Sequence, residues 1–209
     1  KYKVEQVNGW ARLSGKNSVE VESKEGKKTL TAKNIIIATG SRPRNLPMLR
    51  VDGDRVWSSD QAVFPNEAPK TLGIVGAGAI GMEFADVYNA FGTKVTIIEA
   101  LDQILPLEDK DSAIAVERAY KKRGIEIYAG ARLEKAEVKS DSVVLTVKVK
   151  DGSAKTIEVE RVLLAVGRAP IIDDIGLEKV GVKTDRGAIV VDDACRTNVP
   201  NVFAIGDCG

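Results

Sequence analysis

The chain has 209 residues, 44% of them apolar and 29% charged, with 31 basic and 30 acidic side chains giving a formal net charge of +1. That balance suits a globular protein with a sizeable core and gives no electrostatic reason to expect nucleic acid or a membrane as partner. No apolar run approaches the roughly 20 residues that span a bilayer.

The start, KYKVEQVNGW, has neither an initiator Met nor a charged-then-apolar leader, and so reads as a fragment or processed chain without an export signal. There is no histidine, and the two cysteines, Cys195 and Cys208, lie 13 positions apart. They match no redox or metal-ligand spacing and read as reduced thiols of a cytoplasmic protein. No metal site is expected. No catalytic residue is assigned either, since any step that needs an imidazole must be supplied from outside these residues.

In chain order, residues 1–15 and 17–23 contain alternating or β-branched stretches broken by Asn-Gly and Ser-Gly, which predict β structure. NIIIATG (34–40) carries a continuous apolar run, as a strand buried on both faces would. The prolines of SRPRNLP (41–47) exclude helix there. VFPNEAPK (63–70) is linker-like and places a boundary near Asn66.

TLGIVGAG (71–78) then reads as strand and turn, and AIGMEFADVYNAFG (79–92) as a helix with Ile80, Phe84, Val87 and Tyr88 on one stripe and Gly92 at its end. KVTIIEA (94–100) is a second buried strand and residues 109–124 a second helix, acidic at its start and basic at its end. GIEIYAG (124–130) is a third strand.

Residues 131–141, 142–152 and 154–160 alternate apolar with polar and predict an antiparallel meander laid on the parallel core; RVLLAVG (161–167) returns as a buried parallel strand, and two more short strands follow. The expected fold class is α/β: a Rossmann-like, doubly wound parallel sheet with an antiparallel β-meander. The expected divisions are 1–66, 67–186 and 187–209.

Gly76, Gly78 and Gly81 form G-x-G-x-x-G, with Ala77, Ala79 and Ile80 between them. The spacing alone is weak evidence, but here it follows a strand, opens a helix and precedes a second strand ending in an acid. Gly76 permits the tight turn, Gly78 lets the backbone approach a pyrophosphate, and Gly81 lets helix and sheet pack closely. Free N–H groups of the first helical turn then face the phosphates.

Glu99 lies 18 positions after Gly81, where an acid accepts hydrogen bonds from the adenosine ribose hydroxyls and repels a 2′-phosphate. ALDQILPLED (100–109) contains no basic residue to hold such a phosphate, which favours NAD over NADP. FAD is an alternative occupant of such a fingerprint, but its fingerprint usually opens a chain, whereas this one begins about seventy residues in.

Four segments in this order, IIIATGSRP (35–43), GAGAIGMEF with the distal Glu99 (76–99), LLAVGRAP (163–170) and TNVPNVFAIGD (197–207), resemble the pyridine nucleotide–disulfide oxidoreductases. WSSDQA, Glu99 and VGRAP point within them to the dihydrolipoamide dehydrogenase branch. The resemblance covers essentially the whole chain. It implies an FAD domain interrupted by an NAD domain, both cofactors, a dihydrolipoyl group of a 2-oxo acid dehydrogenase complex as electron donor, and a homodimer. The family's first FAD fingerprint, its C-x4-C redox pair and its C-terminal His-Glu domain have no counterpart here, so the expectation is a central piece, inactive by itself and a poor FAD holder.

The resemblance assigns residues 76–81 to the NAD pyrophosphate and Glu99 to the ribose. It places Glu83 toward the nicotinamide end, Leu133 near the adenine and Gly167 beside the nicotinamide half, with Arg168 a structural ion pair as the alternative role at that turn. On the flavin side it implies Ala11 at the adenine, Thr39, Gly40 and Ser41 along the FAD, and Asp207 on the ribityl chain. Another disulfide reductase or NADH oxidase of the same family stays open as a reading, as does a non-catalytic NAD-binding module.

Overall fold

The computed structural model describes residues 3–209, which form two compact units: Pro43–Gly167, and the described part of Lys1–Arg42 together with Arg168–Gly209.

The unit Pro43–Gly167 is built on five parallel strands in the order Val56–Trp57, Arg161–Leu164, Thr71–Val75, Lys94–Glu99 and Glu126–Ala129. Their apolar runs are buried on both faces, and alternate residues serve different layers. Leu72, Ile74, Val95, Ile97 and Leu163 face the helices Ala79–Ala90 and Lys110–Lys122, meeting Met82, Ala85, Tyr88 and Ala113. Val75, Ile98, Val162 and Leu164 face the other way, against Val143, Leu145, Val147, Ile157 and Val159. Those residues belong to the meander Arg132–Val138, Val143–Lys148 and Ala154–Val159, which covers the second face as expected.

The helix ends follow their sequence signals. Asp109 caps Lys110–Lys122, its Oδ1 accepting the N–H of Asp111 at 2.9 Å, and Lys121 and Lys122 occupy the last turn. Gly92 follows Ala79–Ala90 with φ +87° and donates to the carbonyl of Asn89.

The inward stripe of that helix differs from the expected one. Gly81, Met82, Ala85 and Tyr88 are buried, Phe84 is half-buried, and Val87 is 46% exposed. The helix meets the sheet through its smallest residues: a Cβ on Gly81 would lie 3.2 Å from Ile74 Cγ2. That close approach rotates Val87 outward. A short helix, Ser59–Val63, escaped the sequence reading although Ser58 and Gln61 form a reciprocal capping box at its start.

In the other unit, Trp10–Gly15, Ser18–Ser23 and Gly26–Thr31 form an antiparallel sheet, and Ile35–Ile37 pairs in parallel with Val202–Ala204. The expected β structure before Trp10 is absent over the described residues 3–8, and residues 1–2 lie outside the described part. The Ile35–Ile37 strand is not buried on both faces as its run suggested. Ile35 and Ile37 are buried, but Ile36 is 61% exposed because no described residue covers that side.

The compact units also divide the chain elsewhere than at 66 and 186. Val56–Trp57 is an edge strand of the five-stranded sheet, and Ile175, Leu177 and Val182 share a core with Leu13, Ile35 and Val202.

Candidate nucleotide-binding site

The site begins where the strand Thr71–Val75 ends. Gly76 turns the chain with φ +103° and donates to the Ile98 carbonyl at 2.8 Å; a Cβ there would sit 2.3 Å from the Ala165 carbonyl oxygen. Gly81 is equally constrained, since its Cβ would lie 2.0 Å from the Gly76 carbonyl oxygen. Gly78 is different. It precedes the helix with φ −72° and ψ −178°, conformations open to any residue, and nothing lies within 4 Å of where its Cβ would be. The fold requires glycine at 76 and 81 but leaves room for a side chain at 78.

That room is a crevice of about 660 Å³ across the C-terminal ends of the parallel strands, within the range typical of small-molecule sites. No side chain caps the helix start at Gly78, so first-turn N–H groups and the positive end of the helix dipole face the crevice.

The two flanks of the crevice follow from strand order. Beside the central Thr71–Val75 strand, Lys94–Glu99 and then Glu126–Ala129 lie to one side and Arg161–Leu164 to the other. Glu99, Ala131 and Leu133 therefore line one end, and Ala165, Val166 and Gly167 the other. Gly167 has φ +99°, and its carbonyl accepts the Arg44 N–H at 3.0 Å.

Glu99 is only 7% exposed. Its Oε2 accepts the backbone N–H of Ala77 at 2.7 Å and its Oε1 that of Leu101 at 2.8 Å. The carboxylate thus ties the glycine turn to the segment after its own strand, and each oxygen keeps a further lone-pair direction for a ribose hydroxyl. The Leu105 N–H, donated to the Ala77 carbonyl at 2.7 Å, holds the turn from the other side and brings Pro106 to the crevice.

Of the expected NAD residues, Gly76, Gly78, Ala79, Ile80, Glu99, Leu133 and Gly167 line this one crevice. Ala77 and Gly81 are buried beneath it, and Glu83 is exposed on the helix outside the lining. Leu46, Met48, Pro106 and Arg132 also line it, and the sequence reading missed them. Leu46 lies in the Pro-rich stretch 41–47 and Met48 just after it, where the sequence signals only the absence of helix. Arg132 carries no local signal, since it does not follow Glu99 in the chain but opens the meander strand Arg132–Val138.

In the other unit, Ala11 and Thr39 line a groove of about 130 Å³, too small for a dinucleotide. Gly40, with φ +69°, accepts the Ile171 N–H on its carbonyl at 2.8 Å. Ser41 Oγ donates to Asp207 Oδ2 at 2.5 Å, while Arg168 donates through Nε to Ser41 Oγ at 2.6 Å and through a terminal nitrogen to the Ser41 carbonyl at 2.8 Å. Arg168 Nε also lies 3.7 Å from Asp207. Arg168 therefore makes the structural ion pair that was the alternative for it.

Residues 1–209 match the family model described as pyridine nucleotide-disulphide oxidoreductase. The chain belongs to the pyridine nucleotide–disulphide oxidoreductase family. It is 42% identical over 208 residues to a dihydrolipoyl dehydrogenase of Zymomonas mobilis, covering 99% of this chain and 45% of that protein. It is 44% identical to the dihydrolipoyl dehydrogenase of Geobacillus stearothermophilus, covering 98% of this chain and 43% of that one.

Among solved structures, the HOCl-induced flavoprotein disulfide reductase RclA of Escherichia coli, as its Cu(II) complex, superposes with TM-score 0.85 at 31% identity, covering 96% of this chain and 45% of that one. LpdA of Mycobacterium tuberculosis superposes with TM-score 0.83 at 31% identity, covering 98% and 43%. The chain thus spans somewhat under half the length of these oxidoreductases. Both compact units fall inside the family match, in keeping with the resemblance carried by the four ordered segments. Among the described residues no helix is long and apolar enough to cross a membrane.

Proposed function

We propose that residues 43–167 bind NAD(H) as the nucleotide-binding portion of a flavin-dependent dihydrolipoamide dehydrogenase. The observation that carries this is Gly78: the fold leaves space at its Cβ, and that space is the crevice beneath an uncapped helix N-terminus. A glycine the protein does not need for itself suits a backbone that a diphosphate must touch.

The crevice fits the group in three ways. The helix start at residues 78–80 offers N–H donors for the pyrophosphate, those of Gly76 and Ala77 being held by Ile98 and Glu99. Glu99 offers acceptors for the adenosine ribose, with Leu133 against the adenine. Gly167, at the other end, leaves the nicotinamide half unobstructed, and Glu83, exposed on the helix outside the lining, takes the nicotinamide-end role only from the resemblance.

Bound NAD supplies a two-electron hydride acceptor. The chain's own residues orient it: the glycine turn and helix dipole hold the diphosphate, Glu99 selects an unphosphorylated ribose, and Val75 and Ile98 provide an apolar floor. In the whole protein, FAD and a redox disulfide would supply the two-electron link between dihydrolipoamide and the NAD+ that residues 76–81, Glu99, Leu133 and Gly167 would hold. The disulfide lies outside these 209 residues, whose two cysteines are 13 positions apart. Ala11, Thr39, Gly40, Ser41 and Asp207 contribute to the flavin side, and a dihydrolipoyl group of a 2-oxo acid dehydrogenase complex is the partner of a homodimeric, cytoplasmic parent.

A crystal of the chain grown with NADH tests this. Diphosphate density over the helix start at Gly78, with the ribose at Glu99, is the expected result. An empty crevice at saturating NADH overturns it.

A further inference from the structure

Resting on the NAD reading above, we infer that Arg132 is a cofactor-contacting residue whose guanidinium lies against the adenosine half of the dinucleotide. Three observations converge on it. Among the described residues that line the crevice, Arg132 is the one cationic side chain, and Glu99 the one carboxylate. A carboxylate at that end repels an approaching diphosphate, and a cation beside it offsets the repulsion.

The second observation is position. The Ala131 N–H donates to the Glu99 carbonyl at 2.8 Å, so Arg132 enters beside the ribose-selecting acid and directly before Leu133. Strand order puts that corner at the end opposite Gly167, which is the adenosine end.

The third is the absence of a protein partner. Among the described residues the Arg132 guanidinium has no ion pair, hydrogen bond or ring contact. It faces Lys148 across the antiparallel pair, an arrangement of like charges that costs stability. Both line a second hollow of about 500 Å³ that adjoins the crevice, along with Glu134 and Lys150. Lys150 Nζ is already engaged by Asp102 at 3.1 Å. Glu134 is thus the one carboxylate of the hollow set against Arg132 and Lys148, and the cluster keeps net positive charge beside the nucleotide. A planar guanidinium suits this place, since it stacks on a purine and donates to ribose or phosphate oxygens, which an ammonium does less well.

The test is calorimetric titration of the 209-residue chain with NADH and with AMP, for wild type, Arg132→Ala, Arg132→Lys and Gly78→Val, with a thermal melt of each. Arg132→Ala should weaken both ligands by about the same factor, near tenfold or about 1.4 kcal/mol, at a melting temperature no lower than that of wild type, because the side chain is exposed and its loss relieves the repulsion with Lys148. Arg132→Lys should fall between, and the salt dependence of wild-type binding should flatten in Arg132→Ala. Wild-type affinity for both ligands in Arg132→Ala overturns the inference, as does loss of NADH binding with AMP unaffected. If wild type binds NADH saturably, Gly78→Val does not and Arg132→Ala is normal, only this inference fails. If wild type binds neither ligand, the NAD reading fails with it.

Discussion

The carboxylate of Glu99 accepts the backbone N–H of Ala77, inside the glycine turn, at 2.7 Å. The acid that the sequence assigns to a ribose is therefore also a fastener of the glycine turn proposed to hold the diphosphate. Glu99→Ala leaves the N–H of Ala77 without its buried acceptor and frees that of Leu101, a residue 57% exposed. A buried, unpaired donor costs about 1–3 kcal/mol, so the Ala77 N–H sets an expected loss of about that size, together with weaker NADH binding. Urea denaturation reads the first and titration the second. Glu99→Gln keeps a carbonyl for one of the two donors and should lose less stability; equal stability in all three proteins would remove the fastening role.

The three glycines should separate in a stability series. Gly76→Ala and Gly81→Ala place a Cβ 2.3 and 2.0 Å from backbone carbonyl oxygens, and Gly76 also carries φ +103°. Each should cost about 2 kcal/mol or more, with NADH binding lost alongside. Gly78→Ala meets nothing within 4 Å and should stay within about 0.5 kcal/mol of wild type while NADH affinity falls. Thermal melts with parallel titrations decide it, and a Gly78→Ala protein that binds normally would contradict the role given to that position.

Acid should weaken one long-range tie in the other unit. Arg12 donates to Asp174 Oδ2 at 2.6 Å, and that hydrogen bond holds the Asp174 carboxyl below its usual range. The group binds its proton more readily when unfolded. Its contribution is therefore present above the unfolded value of about 3.9 and is lost as pH falls through the lower folded value. Asp174→Asn, tolerable at φ 55°, should flatten the fall in urea midpoint between about pH 5 and pH 2. An unchanged pH profile would show that the pair contributes nothing.

Much of the site was legible because its key atoms are backbone. Gly76, Gly78 and Gly81 announce a turn whose geometry depends on missing side chains, and Glu99 announces itself by ending a strand. What was hidden depends on tertiary approach. Periodicity favoured the large residues Ile80 and Val87 for the inner stripe, whereas close packing at Gly81 put Met82 and Ala85 there and left Val87 exposed. Arg132 was invisible as a residue of the crevice lining because only the pairing of Lys94–Glu99 with Glu126–Ala129 brings the residues just beyond them together. The apolar run at Ile35–Ile37 implied two covered faces, but Ile36 remains 61% exposed among the described residues.

The central claim is tested most directly by titrating NADH into the 209-residue chain and into Gly78→Val, with NADPH as the competing ligand. The account predicts saturable one-to-one NADH binding, at least about tenfold weaker NADPH binding, and loss of NADH binding in a Gly78→Val protein that melts like wild type. Indistinguishable NADH binding by the two proteins, or none by wild type, would contradict it.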